Sequence, residues 1–434
     1  MTSTLAPRVE TAPAPESLPR LLSEVPRSWR DLVSHRRRAG VLPEVRREPR
    51  PDLIQAVERA GLRGKGGGAF STAHKMEAVA AGAGRAVVVV NGAEGEPASG
   101  KDKLLLVRAP HLVLDGALAA AAAVGADQVV VAVDRHASEA LDSVRRALGE
   151  RLSYEPAPIP MRLVAVPTHY VSGEETALVR WLNGGEAKPT NTARPFERGV
   201  ARRPTLLDNV ETLAHVAQIV RWGPGWFRTV GTPNEPGSTL ISLSGAVARP
   251  AVYEVPLGAS LARVLEQSGG RLDQISAVLV GGYFGTWLTA DNAAEARLSC
   301  EDLARFGSDL GCGVVIALPR EACGVVESAR VLSWLASSTA GQCGSCVHGL
   351  ASIADTTGAV ARGRAPRDAA LQLMRWAEQI EGRGACRLPD GAARFLRSSL
   401  AAFQHEVDRH LRGAHCGQAP HVLPLPNPVR DSWR

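Results

Sequence analysis

The sequence predicts an α/β domain on a parallel sheet, then a small β-grasp-like unit, then a helical bundle. Three observations carry this. Short apolar runs, "VVVVN" at Val87 to Asn91 and "VVVAV" at Val129 to Val133, alternate with amphipathic stretches, as buried parallel strands joined by helices do. From Ser238 the pattern becomes strand-like and turns at Gly245 and Pro250 before one helix begins. From Glu321 onward it is helical.

In order along the chain, residues 1–28 are rich in Pro, Ala, Glu and Arg and are expected to be disordered. The α/β domain is assigned to 29–235. Within it "PDLIQAVERAG" reads as a helix with an Asp52 cap, an apolar face and a closing Gly61. A third strand is expected at "RLVAV", Arg162 to Val166, after a helix marked by Leu141, Val144 and Leu148. Leu112 to Ala126 is the longest apolar run; Asp115 breaks it, so it reads as a buried helix and not a membrane span. Leu213 to Trp226 continues as helix to the end of the domain. The β-grasp-like unit takes 236–320, with further strands at "AVLVGGYFGTWL" and "GVVIAL". In the helical unit, 321–413, Leu371, Met374 and Trp376 mark one helix. Leu396, Leu400, Phe403, Val407 and Leu411 mark one face of a longer one, and the Pro-rich tail 414–434 is expected to be loose.

Composition narrows the function. A net charge of +6 without basic–aromatic interleaving argues against nucleic acid. Seven cysteines, an odd number, with no apolar leader run near the N-terminus, point to thiols or metal ligands and to the cytoplasm. Of fifty Lys and Arg residues only five are lysine, and four of these (Lys65, Lys75, Lys101, Lys103) fall within forty residues. Chance accounts for some of this; a site that needs a compact ammonium accounts for it better.

Four stretches carry candidate chemistry. "GLRGKGGGAFSTAHK" is a glycine-rich loop leading into a helix, where amides approach an anion and Lys75 neutralises it. A tight surface loop explains such a stretch as readily, and it is not the Walker pattern. "NGAEGEP" places Asn91, Glu94 and Glu96 past a strand's carboxyl end, where ligands lie in open α/β sheets. "HYVSGEETAL" sets Tyr170 before Glu174 and Glu175, which also serve as ordinary helix-start acids. "RPFERGVARRPTLLDNVETLAHV" puts Phe196 in a loop and ends in Asp208, Asn209 and Thr212.

With "GGYFGTWL" and "GQCGSC", the order of these motifs makes the chain resemble the NADH-binding flavin subunit of respiratory complex I and the flavin subunits of NAD-linked hydrogenases and formate dehydrogenases, from about Leu53 to Phe403. The resemblance implies a Rossmann-like FMN/NADH domain, an SLBB-like β-grasp unit and a helical iron–sulfur domain. It implies FMN held by Gly64, Gly66, Gly67, Gly68 and Lys75, with Asn91, Asp208, Asn209 and Thr212 around it. NAD(P)H would stack over the flavin between Phe70 and Phe196, near Glu94, Glu96, Tyr170 and Glu175, with Glu96 and Glu175 positioning the nicotinamide and no residue acting as acid or base. Electrons would pass singly through an iron–sulfur cluster to a partner: a quinone-linked complex, a ferredoxin or a membrane reductase. The chain would work in the cytoplasm or at the cytoplasmic membrane face, without a span of its own.

Departures are visible too. Ala69 stands where the family has glycine, Ala93 where it has an acid, Ser172 a cysteine and Asp208 an asparagine; Met76 and Ala78 replace framing aromatics. The family's Cys-x-x-Cys-x-x-Cys run reads Ala340, Cys343 and Cys346 here, with Cys386 as the distant fourth position. Three cysteines imply a [4Fe–4S] cluster with an unusual fourth ligand, for which Thr339 and His348 are near in sequence. Cys323 and Cys416 reach it only if the fold brings them close, and Asp390 is expected to cap the helix after Cys386. A non-catalytic docking protein that keeps the fold without all its cofactors is the competing reading.

Overall fold

Four parallel strands make the first sheet: β1 (Ala86–Gly92), β2 (Ala126–Asp134), β3 (Met161–Val166) and β4 (Thr205–Asn209), in the order β3-β2-β1-β4. The structure is a computed structural model and describes residues 17–22, 31–40, 42, 50–154, 159–414, 416, 420–426 and 431–434. β1 is apolar and buried through Val90, as a central strand covered by helices on both faces must be. The chain steps outward from β1 to β2 to β3, then crosses back to lay β4 on the other side of β1. That reversal creates a switch point where the carboxyl ends of β1 and β4 part, with Asn91 in register with Asn209.

Helix Pro110–Val124 is buried along its whole length and packs on helix Val210–Phe227. Among the described residues no single helix is long and apolar enough to cross a membrane. The contact is so close that a Cβ at Gly116 would stand 1.7 Å from the Leu213 carbonyl oxygen. Gly116→Ala should therefore lower the melting temperature markedly. Overpacking costs about 1–3 kcal/mol, and more where backbone is struck. An unchanged thermal transition would rule out the contact.

The second sheet has five strands: β5 (Ser238–Gly245), β6 (Ala251–Pro256), β7 (Ile275–Val280), β8 (Thr286–Thr289) and β9 (Val314–Pro319), in the order β6-β5-β9-β7-β8. Only β5 and β9 run parallel. Helix Leu261–Gln267 lays Leu261, Val264 and Leu265 on this sheet, completing the β-grasp pattern.

The helical region contains Gly324–Ser337, Ala351–Ala361, Ala369–Ile380, Leu388–Ala402 and Gln404–Leu411. Here several expectations need correction. The long helix breaks at Phe403, whose ring turns inward against Trp287 with centroids 5.1 Å apart. Leu371 is exposed; the buried face of its helix is Ala369, Leu373, Ala377 and Ile380. Asp52 does not cap its helix: Pro51 takes the first position and Asp52 pairs with Arg50 at 2.6 Å, while Gly61 closes the helix with φ 72° as expected. Asp390 sits inside the first turn and accepts from Gly382 N at 2.7 Å, not from its own helix start. The described parts of the tail are packed, since Leu423 is buried, Tyr283 donates to Pro424 O at 2.5 Å and Trp433 stacks on His169 at 3.6 Å. The disorder expected for 1–28 falls largely outside the described residues, but Leu21 is buried and Arg20 lies 4.0 Å over the Trp226 ring.

Candidate flavin and iron–sulfur sites

The glycine loop folds back on itself, with Gly64 N donating to Phe70 O at 2.8 Å. It rests on the start of helix Val210–Phe227: Lys65 N donates to Thr212 Oγ1 at 2.9 Å, and a Cβ on Gly66 would meet Asn209 Cβ at 3.4 Å. Asn209 caps that helix, its Oδ1 accepting from Glu211 N at 2.9 Å. Gly67 has φ 113°, and a Cβ on Gly68 would point into open space. Bare glycine amides beside the positive end of a helix make a cradle for an anion. Ala69 holds φ 45°, a conformation in which an L-residue is strained by roughly 1–2 kcal/mol.

Helix Thr72–Ala80 brings Lys75 to the same place, its Nζ 2.5 Å from Glu175 Oε1. Burial opposes the charge on Lys75, but Asp208 and Glu175 outweigh it and hold the ammonium above its ordinary pKa. Burial pushes the Asp208 carboxyl up to about 6 despite Lys75, and its Oδ2 has no partner among the described residues. Met76, in contrast, is fully buried in the domain core, so its replacement of an aromatic alters packing and not a pocket wall.

Two turns close the other side. Asn91 Nδ2 donates to Gly173 O at 2.8 Å. A Cβ on Gly95 would stand 2.4 Å from Tyr170 O, and one on Gly173 2.3 Å from Ala93 O, so the turns touch backbone to backbone. Glu96 accepts from Tyr283 N at 2.9 Å and from Tyr170 Oη at 3.3 Å, and burial pushes it up to about 7. Glu94 turns away to the start of helix Lys101–Arg108, accepting from Asp102 N at 3.2 Å and Lys103 N at 3.3 Å. Phe70 is 63% exposed on the loop, whereas Phe196 is half-buried against the domain core.

The structure thus gathers Gly64 to Gly68, Lys75, Glu175, Asp208, Asn209 and Thr212, and ties Asn91 to them through the 170–175 turn. One group is unassigned by motif: Lys101, 2% exposed, reaches Asp102 Oδ1 at 2.8 Å, Asn209 Oδ1 at 3.2 Å and Glu211 Oε2 at 3.1 Å. Lys101 and Glu211 line a cavity of about 190 Å³ between the glycine loop and residues of the β-grasp unit. Its floor shares the loop but none of Lys75, Asp208 or Glu175. The crowding of lysines at 65–103 was the signal in the sequence.

In the helical region Cys343 and Cys346 bracket the start of a wide helical turn, Ser345–Leu350. Ala385 N donates to Cys343 Sγ at 3.4 Å, which brings Cys386 alongside. Burial and the neighbouring thiols push Cys346 up to about 12; burial, with Glu174 and Cys343 adding to it, pushes Cys386 up to about 11. Ala340 is half-buried on the same core. His348 is exposed, and Cys323 and Cys416 meet each other and His410 instead of this loop.

Residues 57–218 match the family described as the Nuo51 FMN-binding domain, 240–280 the SLBB domain, and 327–410 the NADH-ubiquinone oxidoreductase-F iron-sulfur binding region. The F subunit of NADH-quinone oxidoreductase in Streptomyces coelicolor is 33% identical, with 84% of each chain covered. The chain belongs to this family of NADH-quinone oxidoreductase F subunits. The counterpart numbered F 2 in Rhizobium meliloti is 31% identical over 84% of this chain and 90% of its own. A crystal structure of an NAD+-reducing [NiFe]-hydrogenase superposes with a TM-score of 0.78 at 31% identity, covering 84% of this chain; the chain spans only 64% of that hydrogenase chain.

The cofactors of that family fit the residues present. The open glycine cradle, the free Asp208 oxygen and Lys75 suit a phosphorylated, hydroxyl-rich flavin. Three thiols, one buried and two half-buried, on one loop and one helix start suit iron, which would ionise them. FMN and an iron–sulfur cluster are therefore the cofactors of this chain, and NADH is its substrate.

Proposed function

We propose that Gly64 to Gly68 and Lys75 hold FMN, that Asn91, Asp208, Asn209 and Thr212 surround it, and that Cys343, Cys346 and Cys386 hold the cluster that receives its electrons. The observation that carries this reading is the glycine loop seated on the Asn209-capped helix, with the Lys75–Glu175 pair beside it. FMN supplies the exchange between the two-electron chemistry of NADH and the one-electron chemistry of the cluster. The protein binds and orients. Glycine amides and the helix start bind the phosphate, Lys75 neutralises charge, and Glu175, whose side chain is 45% exposed, positions the nicotinamide. Glu96 accepts from Tyr170 and from Tyr283 N and so ties the first domain to the β-grasp unit. Phe70 lies open for stacking.

The acceptor is a partner protein of an oxidoreductase complex: a quinone-linked assembly, a ferredoxin or a membrane reductase. A cytoplasmic setting is supported by seven free cysteines, since cluster thiols need a reducing compartment. Anaerobic titration of purified protein with NADH should bleach a bound-flavin spectrum stoichiometrically; protein that carries no flavin after incubation with FMN would defeat the reading. Glu175→Gln should keep flavin but slow its reduction by NADH about ten-fold or more, because a positioning contact of about 1.4 kcal/mol is lost. Identical single-turnover rates would remove Glu175 from that role.

A further inference from the structure

A second set of ligand atoms lies in the helical region, separate from the cluster cysteines. Cys323 immediately precedes helix Gly324–Ser337, His410 is on helix Gln404–Leu411, and Cys416 follows that helix. His410 Nε2 stands 3.1 Å from Cys416 Sγ and 3.5 Å from Cys323 Sγ. All three ligand atoms lie within 4.8 Å of one another. Cys323 and His410 are 3% and 0% exposed.

The histidine is oriented as a ligand would be. Its Nδ1 faces the Val360 carbonyl oxygen at 3.2 Å. A carbonyl only accepts, so the proton sits on Nδ1 and Nε2 presents its lone pair to the two sulfurs; outer-shell carbonyls fix metal-bound imidazoles in this way. Glu406 lies one turn before His410 and puts Oε2 3.3 Å from Cys323 Sγ, held there by Gly324 N at 2.9 Å. We propose that Cys323, His410 and Cys416 form a zinc site, with water in the fourth position.

The donor set selects the ion. Two thiolates and an imidazole around one point suit a borderline-soft, tetrahedral divalent cation with no redox role. Binding releases the two thiol protons and ties residue 416, beyond the last helix, to the start of the first helix of the bundle.

Zinc content and zinc-edge X-ray absorption on the full, cofactor-loaded chain test this without a variant. We expect about one zinc per chain, with two sulfurs at about 2.3 Å and two lighter ligands at about 2.0 Å. Cys416→Ser should lose most of that zinc and the rise in melting temperature that added zinc gives the wild type, while flavin and iron per chain stay unchanged. Four results would overturn the assignment: no zinc bound after incubation with Zn²⁺, a shell with three sulfurs (which would place zinc at the cluster cysteines), full zinc retention by Cys416→Ser, or a mass two hydrogens low from a Cys323–Cys416 disulfide.

Discussion

Cys386→Ala should strip the chain of its iron–sulfur cluster and leave the flavin in place. Iron and acid-labile sulfide should fall to background. Reduction of flavin by NADH in a single turnover should persist, and turnover with a protein acceptor should drop by orders of magnitude. The argument begins with ligand count. The family run is already short by one thiolate at Ala340, so the proposed site holds its cluster by Cys343, Cys346 and Cys386 with a weaker fourth ligand. Removing another leaves two sulfurs on one loop, too few to hold a cluster. The proposed flavin residues belong to the first domain and to none of the segments that carry these thiols. Ala340→Cys makes the complementary case. Ala340 is half-buried on the core that also carries Cys346 and Cys386, and a thiol there would restore the family's Cys-x-x-Cys-x-x-Cys run. That variant should resist the oxidative conversion of [4Fe–4S] to [3Fe–4S] expected of the wild type, read by electron paramagnetic resonance. Wild-type protein that holds no iron after anaerobic reconstitution with iron and sulfide would defeat both expectations.

How much of this was legible depended on the range of the interactions. β1 and β2 were readable because a strand covered on both faces must be apolar throughout, and that constraint is local. The β-grasp unit was readable for a similar reason: Gly245 and Pro250 punctuate it. The break at Phe403 was not. Helical periodicity runs straight through it, and what bends the chain is a distant partner, the Trp287 ring. Leu371 misled because three apolar residues in six do not define a face, and Ala369 and Ala377 carry the packing with less hydrophobic bulk. At the candidate site, order and spacing located the glycine loop and Lys75. They did not reveal that Glu94 serves a helix start, since a carboxylate in a turn looks the same whichever way it points. Nor could they pair Cys323 with Cys416, at opposite ends of the helical region.

Lys75→Ala should weaken FMN binding about ten- to hundred-fold, with Lys75→Arg restoring part of the loss. A charge-assisted hydrogen bond to a phosphate or flavin oxygen is worth about 1.5–3 kcal/mol, which sets that range. The loss has a second source. Lys75 is bonded to Glu175 and close enough to Asp208 to oppose the upward push of burial on that carboxyl. Without the ammonium, Asp208 and Glu175 present uncompensated negative charge to an anionic ligand. This makes the defect depend on pH in a stated direction. Burial already raises Asp208 to about 6 with Lys75 opposing it, so removing Lys75 raises it further. As pH falls through that raised value Asp208 becomes neutral, repulsion of the phosphate drops, and FMN affinity of the variant should recover in part. In the wild type Lys75 holds the Asp208 carboxyl lower, near 6, so any gain in affinity should begin at a lower pH than in the variant. Quenching of FMN fluorescence on binding, followed from pH 8 to about pH 5, reads both effects. Full flavin occupancy in Lys75→Ala at pH 8 would remove Lys75 from the site, and a pH-independent deficit would remove Asp208 from the explanation.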